Sequence, residues 1–291
     1  MSASQDSLPQ SRAGHWQLRS GRLTFGGRPA LMGIVNVTPD SFSDGGLFLD
    51  TARAVEHGLR LADQGADIID VGGESTRPYA IPVPAEEELR RVIPVVSELC
   101  RRTAVPVSID TRKAAVAREA LAAGAEIIND VTGLEGDPDM APLAVETGAA
   151  VCVMHMQGSP QTMQDRPHYE DVVEDVLAYL RRRRDELVAR GLAAERIALD
   201  PGIGFGKTAE HNLQLLRHAE RFHRLGCPVL VGHSRKSFIR QVIGRARVDP
   251  LPGTLAVSLA LARQGIQVLR VHDVAAVRQA LALFEATGGL A

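Results

Sequence analysis

Short apolar runs rich in Val and Ile alternate along the chain with longer Ala-, Leu-, Arg- and Glu-rich stretches of helical period. The runs fall at 31–36 (LMGIVN), 67–72 (DIIDVG), 105–110 (VPVSID), 126–130 (EIIND), 150–155 (AVCVMH), 196–200 (RIALD), 228–233 (PVLVGH) and 267–272 (QVLRVH). Near-continuous apolar strands joined by helices predict a parallel sheet covered on both faces. Helical patterns follow at 51–63, 86–102, 112–123, 170–190, 210–224, 254–264 and 274–286, with a short, weak one near 138–147. Eight β-then-α units over about 250 residues predict a (β/α)8 TIM barrel of the α/β class. An open doubly wound sheet is the alternative, but its Gly-rich turn after the first strand is not supplied by NVTPDSFSDGG. Residues 16–25 (WQLRSGRLTF) read as a short β-hairpin ahead of the barrel. With no composition shift or linker, 15–291 reads as a single domain, and the polar residues 1–14 are expected to be a disordered extension.

Charge narrows the partners. Acidic residues number 35 and basic residues 33, a formal charge of −2. That balance argues against nucleic acid and against a polybasic membrane surface. No apolar segment reaches the roughly 18 residues of a membrane span, and the N-terminal stretch has no apolar core of a secretory signal. A cytoplasmic setting is the expectation. Cys100, Cys152 and Cys227 form no CxxC pair and read as buried small hydrophobes. Lysine is scarce, at Lys113, Lys207 and Lys236, and so is asparagine, at Asn36, Asn129 and Asn212.

Each apolar run ends in a polar group: Asn36, Asp70, Asp110, Asn129 with Asp130, His155, Asp200, then His233 to Lys236, and finally Arg270, His272 and Asp273. In a barrel the C-terminal strand ends converge on one face, where active sites are built. Each of these residues taken singly could instead cap the following helix. Taken together, the Asn and Asp edges suit a flat, nitrogen-rich heterocycle. Arg235, Lys236, Arg270 and His272 add positive charge suited to a phosphate or diphosphate. The long loops 36–50 and 72–88 read as mobile lids carrying Asp44 and Arg77. GIGFGKT (202–208) is not a Walker A loop, because Pro201 stands where the first glycine is required. No short His/Asp spacing supports a metal site at His155.

The segments MGIVNVTPDSFSDGG (32–46), GADIIDVGGESTRP (65–78), VSIDTRK, IINDVTG, VCVMHMQG, LDPGIGFGK, VGHSRKS and LRVHDV follow one another in an order that resembles the dihydropteroate synthase family, over about residues 20–285. The resemblance implies a TIM barrel that condenses 6-hydroxymethyl-7,8-dihydropterin diphosphate with p-aminobenzoate, assisted by Mg2+, in a homodimer. Carried over by motif, Asp110, Asn129, Asp200 and Lys236 hold the pterin, with Met154 and Phe205 as apolar walls. Asn36, Thr76, Arg270 and His272 hold the diphosphate, and Asn36 also meets the magnesium ion. Pro39, Phe42, Arg235 and Ser237 flank p-aminobenzoate. Asp44 and Arg77 come from the lids and, with Asp110 and Lys236, make up the catalytic set. The chemistry implied is loss of diphosphate to leave a pterin cation, followed by arylamine attack. Two rival readings are a pterin-binding methyltransferase domain, which needs no diphosphate site, and a catalytically silent paralogue. Tyr79 stands where many members have Gly.

Overall fold

A computed structural model describes residues 12–38, 46–77, 79–159, 162–244 and 248–290, without the side chains of 46–50. Strands β1 (His15–Gln17) and β2 (Arg22–Thr24) pair antiparallel as the expected hairpin. Eight parallel strands follow: β3 (Ala30–Asn36), β4 (Ile68–Gly72), β5 (Val107–Asp110), β6 (Ile127–Asp130), β7 (Ala150–Met154), β8 (Ile197–Asp200), β9 (Leu230–Val231) and β10 (Val268–Val271). Their order is β8-β7-β6-β5-β4-β3-β10-β9. A parallel bridge between Leu199 and Val229 brings the two edges together, and the Leu199 N–H donates to the Pro228 carbonyl at 2.9 Å. The sheet is therefore a barrel, and the open-sheet alternative falls away.

The outer layer consists of α1 (Gly46–Asp63), α2 (Ala85–Arg102), α3 (Ala114–Ala122), α4 (Met140–Thr147), α5 (Val172–Ala189), α6 (Ala209–Arg217), α7 (Ser237–Ile243), α8 (Pro250–Arg263) and α9 (Val274–Ala286). Their apolar faces and the outward strand residues form one large core. Two differences from the periodicity stand out. The stretch 210–224 breaks at His218, whose backbone (φ −119°, ψ 26°) leaves the helix, and it continues as a 3-10 turn over Ala219–Leu225. The seven-residue α7 was not among the expected helices, being too short to show a period.

The barrel interior is filled from the N-terminal end. Trp16 and Leu18 of the hairpin region pack with Ala30, Met32, Ile68, Ile127, Ala150, Cys152, Ala198, Leu230 and Val268. Trp16 is fully buried, and its indole N–H donates to the Arg196 carbonyl at 2.9 Å. A buried indole keeps its polar tip satisfied in this way while its ring fills space. Of the extension expected over 1–14, residues 1–11 lie outside the described ones. Ala13 and Gly14 are tied in, accepting from the Gln267 side chain and the Phe25 N–H.

Candidate active site

Side chains alternate along a strand. Ile68 and Val268 belong to the filled floor, so Asp70 and Arg270, two residues on, point inward one level higher. Arg270 Nε donates to Asp70 Oδ2 at 2.6 Å, and a terminal nitrogen donates to Asp110 Oδ2 at 2.6 Å. Asp110 and Asn129 stand side by side in the β5–β6 register. The Asn129 amide donates to the same Asp70 oxygen at 3.1 Å. Asp200 ends β8 and accepts from the Gly202 N–H at 2.7 Å. Val131, Met154, Met163 and Phe205 form a small apolar cluster of their own beside these polar groups.

The loop after β8 shapes one wall. Gly202 and Gly206 adopt φ of +71° and +62°, a left-handed backbone that favours glycine. A Cβ at Gly202 would fall 1.9 Å from the His155 carbonyl oxygen, and one at Gly206 would fall 2.5 Å from that of Gln157. These turns carry Phe205 to a place where the Lys236 ammonium stands 4.1 Å from its ring centroid. Behind the loop, buried Lys207 donates to the Phe205 carbonyl at 2.9 Å and to the His155 carbonyl at 3.3 Å, and lies 3.0 Å from His155 Nδ1. A glycine-rich stretch that resembles a phosphate loop in composition is thus a stitched wall.

Burial drives the electrostatics. It pushes the Asp200 carboxyl up to about 6, against the opposing pull of the Gly202 N–H, Lys236, Lys207 and Arg270. It raises Asp110 as well, with Arg270 opposing and Asp70, Glu88 and Asp130 adding to the rise. Burial and the nearby Arg270 lower Lys236 to about 8, with Asp200 and Asp110 holding it up. Burial lowers Lys207 to about 7 in the same way. Perturbed acids and bases facing one another mark a functional site better than any one of them does.

The expected ring of strand-end residues divides. Asp110, Asn129 and Arg270 are joined by hydrogen bonds through Asp70, and Asp200 and Lys236 act on each other and on Arg270 through their charges, with Met154 and Phe205 in the apolar cluster beside them. Other members are structural. Asp130 accepts from the Thr132 N–H and hydroxyl, both at 2.7 Å. His155 turns to Lys207 and meets Tyr179 edge-on at 4.9 Å between centroids. His233 is buried beside Ser258 Oγ at 2.8 Å. Two expected cations change character. His272 is driven to about 4 by burial and by Arg270 and Arg235, so at neutral pH its ring is uncharged and offers a hydrogen bond in place of a charge. Its Nδ1 lies 3.1 Å from Ser234 Oγ. Arg235 carries a left-handed φ of 58°, and its Nε donates to Asp273 Oδ2 at 2.9 Å.

Asn36 is exposed at the end of β3, Ser237 is exposed at the start of α7, and Thr76 and Arg77 lie on the loop after β4. Pro39, Phe42 and Asp44 fall outside the described residues. Three features were not assigned from sequence: the position of Asp70 between Arg270 and Asn129, the burial of Lys207, and an ionic cluster of Glu74, Glu88, Arg112 and Lys113 at the root of the second long loop. The scarcity of lysine was the signal available for the last two. Among the described residues no group of three or more His, Cys, Asp or Glu could hold a metal ion.

The family model of pterin binding enzymes matches residues 32–272. The dihydropteroate synthase of Escherichia coli K12 is 48% identical over 259 residues, covering 89% of this chain and 92% of that one. The Xanthomonas albilineans dihydropteroate synthase solved with 4-aminobenzoic acid superposes with a TM-score of 0.87 at 47% identity, covering 95% of this chain and 98% of the other. The same organism's enzyme in complex with 7,8-dihydropteroate gives a TM-score of 0.84 at 45% identity, covering 94% and 98%.

Proposed function

Since the chain belongs to the dihydropteroate synthase family of pterin-binding enzymes, we propose how its own residues divide that family's work. The reaction is a transfer: 6-hydroxymethyl-7,8-dihydropterin diphosphate and p-aminobenzoate give 7,8-dihydropteroate and diphosphate. The observation that supports the assignment is the contact set of Asp110, Asn129, Asp200, Arg270 and the Lys236–Phe205 pair above a filled barrel floor.

Asp110, Asn129 and Asp200 offer acceptors to the ring N–H groups, and Lys236 donates to its oxo edge. Met154 and Phe205 sandwich the apolar part. Asn36, Thr76, Arg270 and neutral His272 take the diphosphate. Arg235, Ser237 and the first-loop residues Pro39 and Phe42 receive p-aminobenzoate, with Asp44 and Arg77 closing from the two loops. When the C–O bond to diphosphate breaks, the positive charge left on the pterin methylene is stabilised by the Asp110 carboxylate, and Asp44 is assigned the same role. Donors already aimed at a departing oxyanion lower its barrier without reorganisation. The arylamine nitrogen is neutral and attacks without a strong base.

Mg2+ fits this donor set as a substrate-borne ion. It keeps several waters and binds through substrate phosphates with few protein ligands, in keeping with one amide oxygen at Asn36 and no acidic cage among the described residues. When bound, it would neutralise the leaving diphosphate. A homodimer fits the apolar α8, whose Ala256 and Ala260 are exposed. Among the described residues no helix is long and apolar enough to cross a membrane, and the proposed setting is cytoplasmic.

The test mixes purified protein, both substrates and Mg2+ and follows diphosphate and dihydropteroate. Both are expected. Their absence overturns the assignment, and pterin binding without turnover would favour a silent paralogue.

A further inference from the structure

Asp70 is fully buried, and one of its oxygens accepts two hydrogen bonds from two different walls of the barrel. Arg270 Nε reaches Oδ2 from β10 at 2.6 Å, and Asn129 Nδ2 reaches it from β6 at 3.1 Å. Its register partners on the flanking strands are Ile34 and Ser108. The carboxylate therefore lies one level below that at which Asp110 and Asn129 face the mouth, and its other oxygen, Oδ1, is buried with no hydrogen-bond partner among the described residues.

An amide side chain has one donor edge and one acceptor edge, and which faces where is set by its partners. A carboxylate beside a guanidinium offers acceptors alone. It therefore commits the Asn129 NH2 to the barrel interior and turns Oδ1 outward. The same oxygen also holds Arg270, whose other arm reaches Asp110. Two site residues thus take their orientation from one atom that lies beneath them.

We propose that Asp70 is a positioning residue for pterin recognition: by holding the Asn129 amide with its carbonyl toward the mouth, and Arg270 against Asp110, it makes the Asn129 position an acceptor that selects a ring N–H donor. The proposal rests on the assignment of Asn129 and Arg270 to the pterin and diphosphate site. Asp70 touches no reacting atom in this arrangement, so its loss falls on pterin affinity and leaves the p-aminobenzoate end of the site alone.

The test is a binding cycle read by calorimetry with the dihydropterin diphosphate, using wild type, Asp70→Ala, Asn129→Ala and the double variant. Asp70→Ala is expected to raise the dissociation constant by at least about tenfold, the scale of one buried charge-assisted hydrogen bond. In the Asn129→Ala background the same substitution should cost distinctly less, because the residue it orients is gone. Asp70→Asn, which keeps one acceptor oxygen, should recover part of the loss. The KM for p-aminobenzoate at saturating pterin diphosphate should stay within about twofold, as expected for a distant, independent site. An Asp70→Ala constant within twofold of wild type overturns the proposal, as do fully additive losses or equal losses for both substrates.

A second measurement needs no variant at Asp70. Protein labelled with 15N at asparagine carries three side-chain amides, from Asn36, Asn129 and Asn212. The Asn129 signal, identified by its disappearance in Asn129→Ser, should exchange with solvent far more slowly than that of exposed Asn36 before any ligand is added. Exchange as fast as Asn36 sinks the idea even if Asp70→Ala fails to fold. The calorimetric cycle and the amide exchange require no turnover; the KM comparison alone does. A wild type that binds the pterin yet makes no dihydropteroate would refute the synthase assignment and leave Asp70 judged on its own.

Discussion

Two ionic clusters flank the ends of β4 and β5, one drawn from inside the barrel and one from the loops and α2 outside it. Inside the barrel, Asp70, Asp110 and Asp200 face Arg270 and Lys236. Outside it, Glu74 and Glu88 face Arg112 and Lys113. The outer cluster is balanced, two acids to two bases. Burial would raise Glu74, but Lys113 and Arg112 hold it below the usual carboxylate range. The inner cluster has one acid more than it has bases, and burial moves Asp110 and Asp200 upward. A set of charges that satisfies itself serves the fold. A set left in surplus waits for a ligand to complete it. The outer cluster also has a mechanical place: Glu74, on the loop after β4, is bound to Lys113 beside α3, and Lys113 to Glu88 of α2, while an Arg91 terminal nitrogen donates to the Gly73 carbonyl at 3.0 Å. The second long loop is thus fastened at its root, two residues before Thr76.

The largest effect separating the two is expected from Lys113→Met. It strands fully buried Glu88 and leaves Glu74 with Arg112 alone, and breaking a buried pair on one side costs about 3–5 kcal/mol. Denaturant unfolding should show that loss. An unchanged midpoint would mean the outer cluster is not the balanced anchor described.

An intermediate effect is expected from pH. Pterin donors favour ionised Asp110 and Asp200, both raised by burial, so affinity should rise as pH climbs through about 6 and just above it. It should fall again above about 8, where Lys236 loses its proton. Each limb should approach about tenfold per pH unit, the effect of one proton. Asp200→Asn should make the acid limb shallower, leaving the part due to Asp110, and Lys236→Met should flatten the alkaline one. A profile level from pH 5 to 9 would remove Asp200 and Lys236 from the ring contacts. Stability runs the opposite way for Asp200 in the unliganded protein. Its folded-state value is raised, so its contribution is present below the ordinary carboxylate range and is lost as pH rises through about 6.

The smallest effect is expected at the exposed tip of the second loop. Tyr79, at a left-handed φ of 64°, donates its hydroxyl to Asp165 Oδ1 at 3.1 Å. Tyr79→Phe should change stability by no more than about 0.5 kcal/mol, the usual range for a surface site. A larger shift would make that tip a third ionic element to weigh beside the other two.

Much of this was legible in the chain because strands and helices write their periods into apolar spacing. Eight Val- and Ile-rich runs led to eight parallel strands, and barrel geometry gathered their polar ends at one mouth. The proposed pterin set of Asp110, Asn129, Asp200 and Lys236 comes from the resemblance of its motifs to the family's, and the fold brings these residues to that mouth. Direction at a strand end could not. His155 and His233 end runs just as Asp110 does, yet both turn into the packing, because their rings find Lys207 and Ser258 there. The protonation state of His272 depends on burial and on Arg270 and Arg235, neither of which is visible in a local sequence window. Lys113 and Lys207 read as helix-start or loop residues away from the substrate, and what holds them there could not be read locally. Their acceptors come from segments as far as 52 residues away, from Glu74 and from His155.

The hairpin tryptophan has a consequence for traffic. With Trp16 stopping the lower end, the described residues leave the mouth as the door. Both substrates enter and both products leave by the mouth, so position in depth becomes position in a queue. In the proposed arrangement, a ring seated against Asp110 and Asn129 enters ahead of the partner that sits above it.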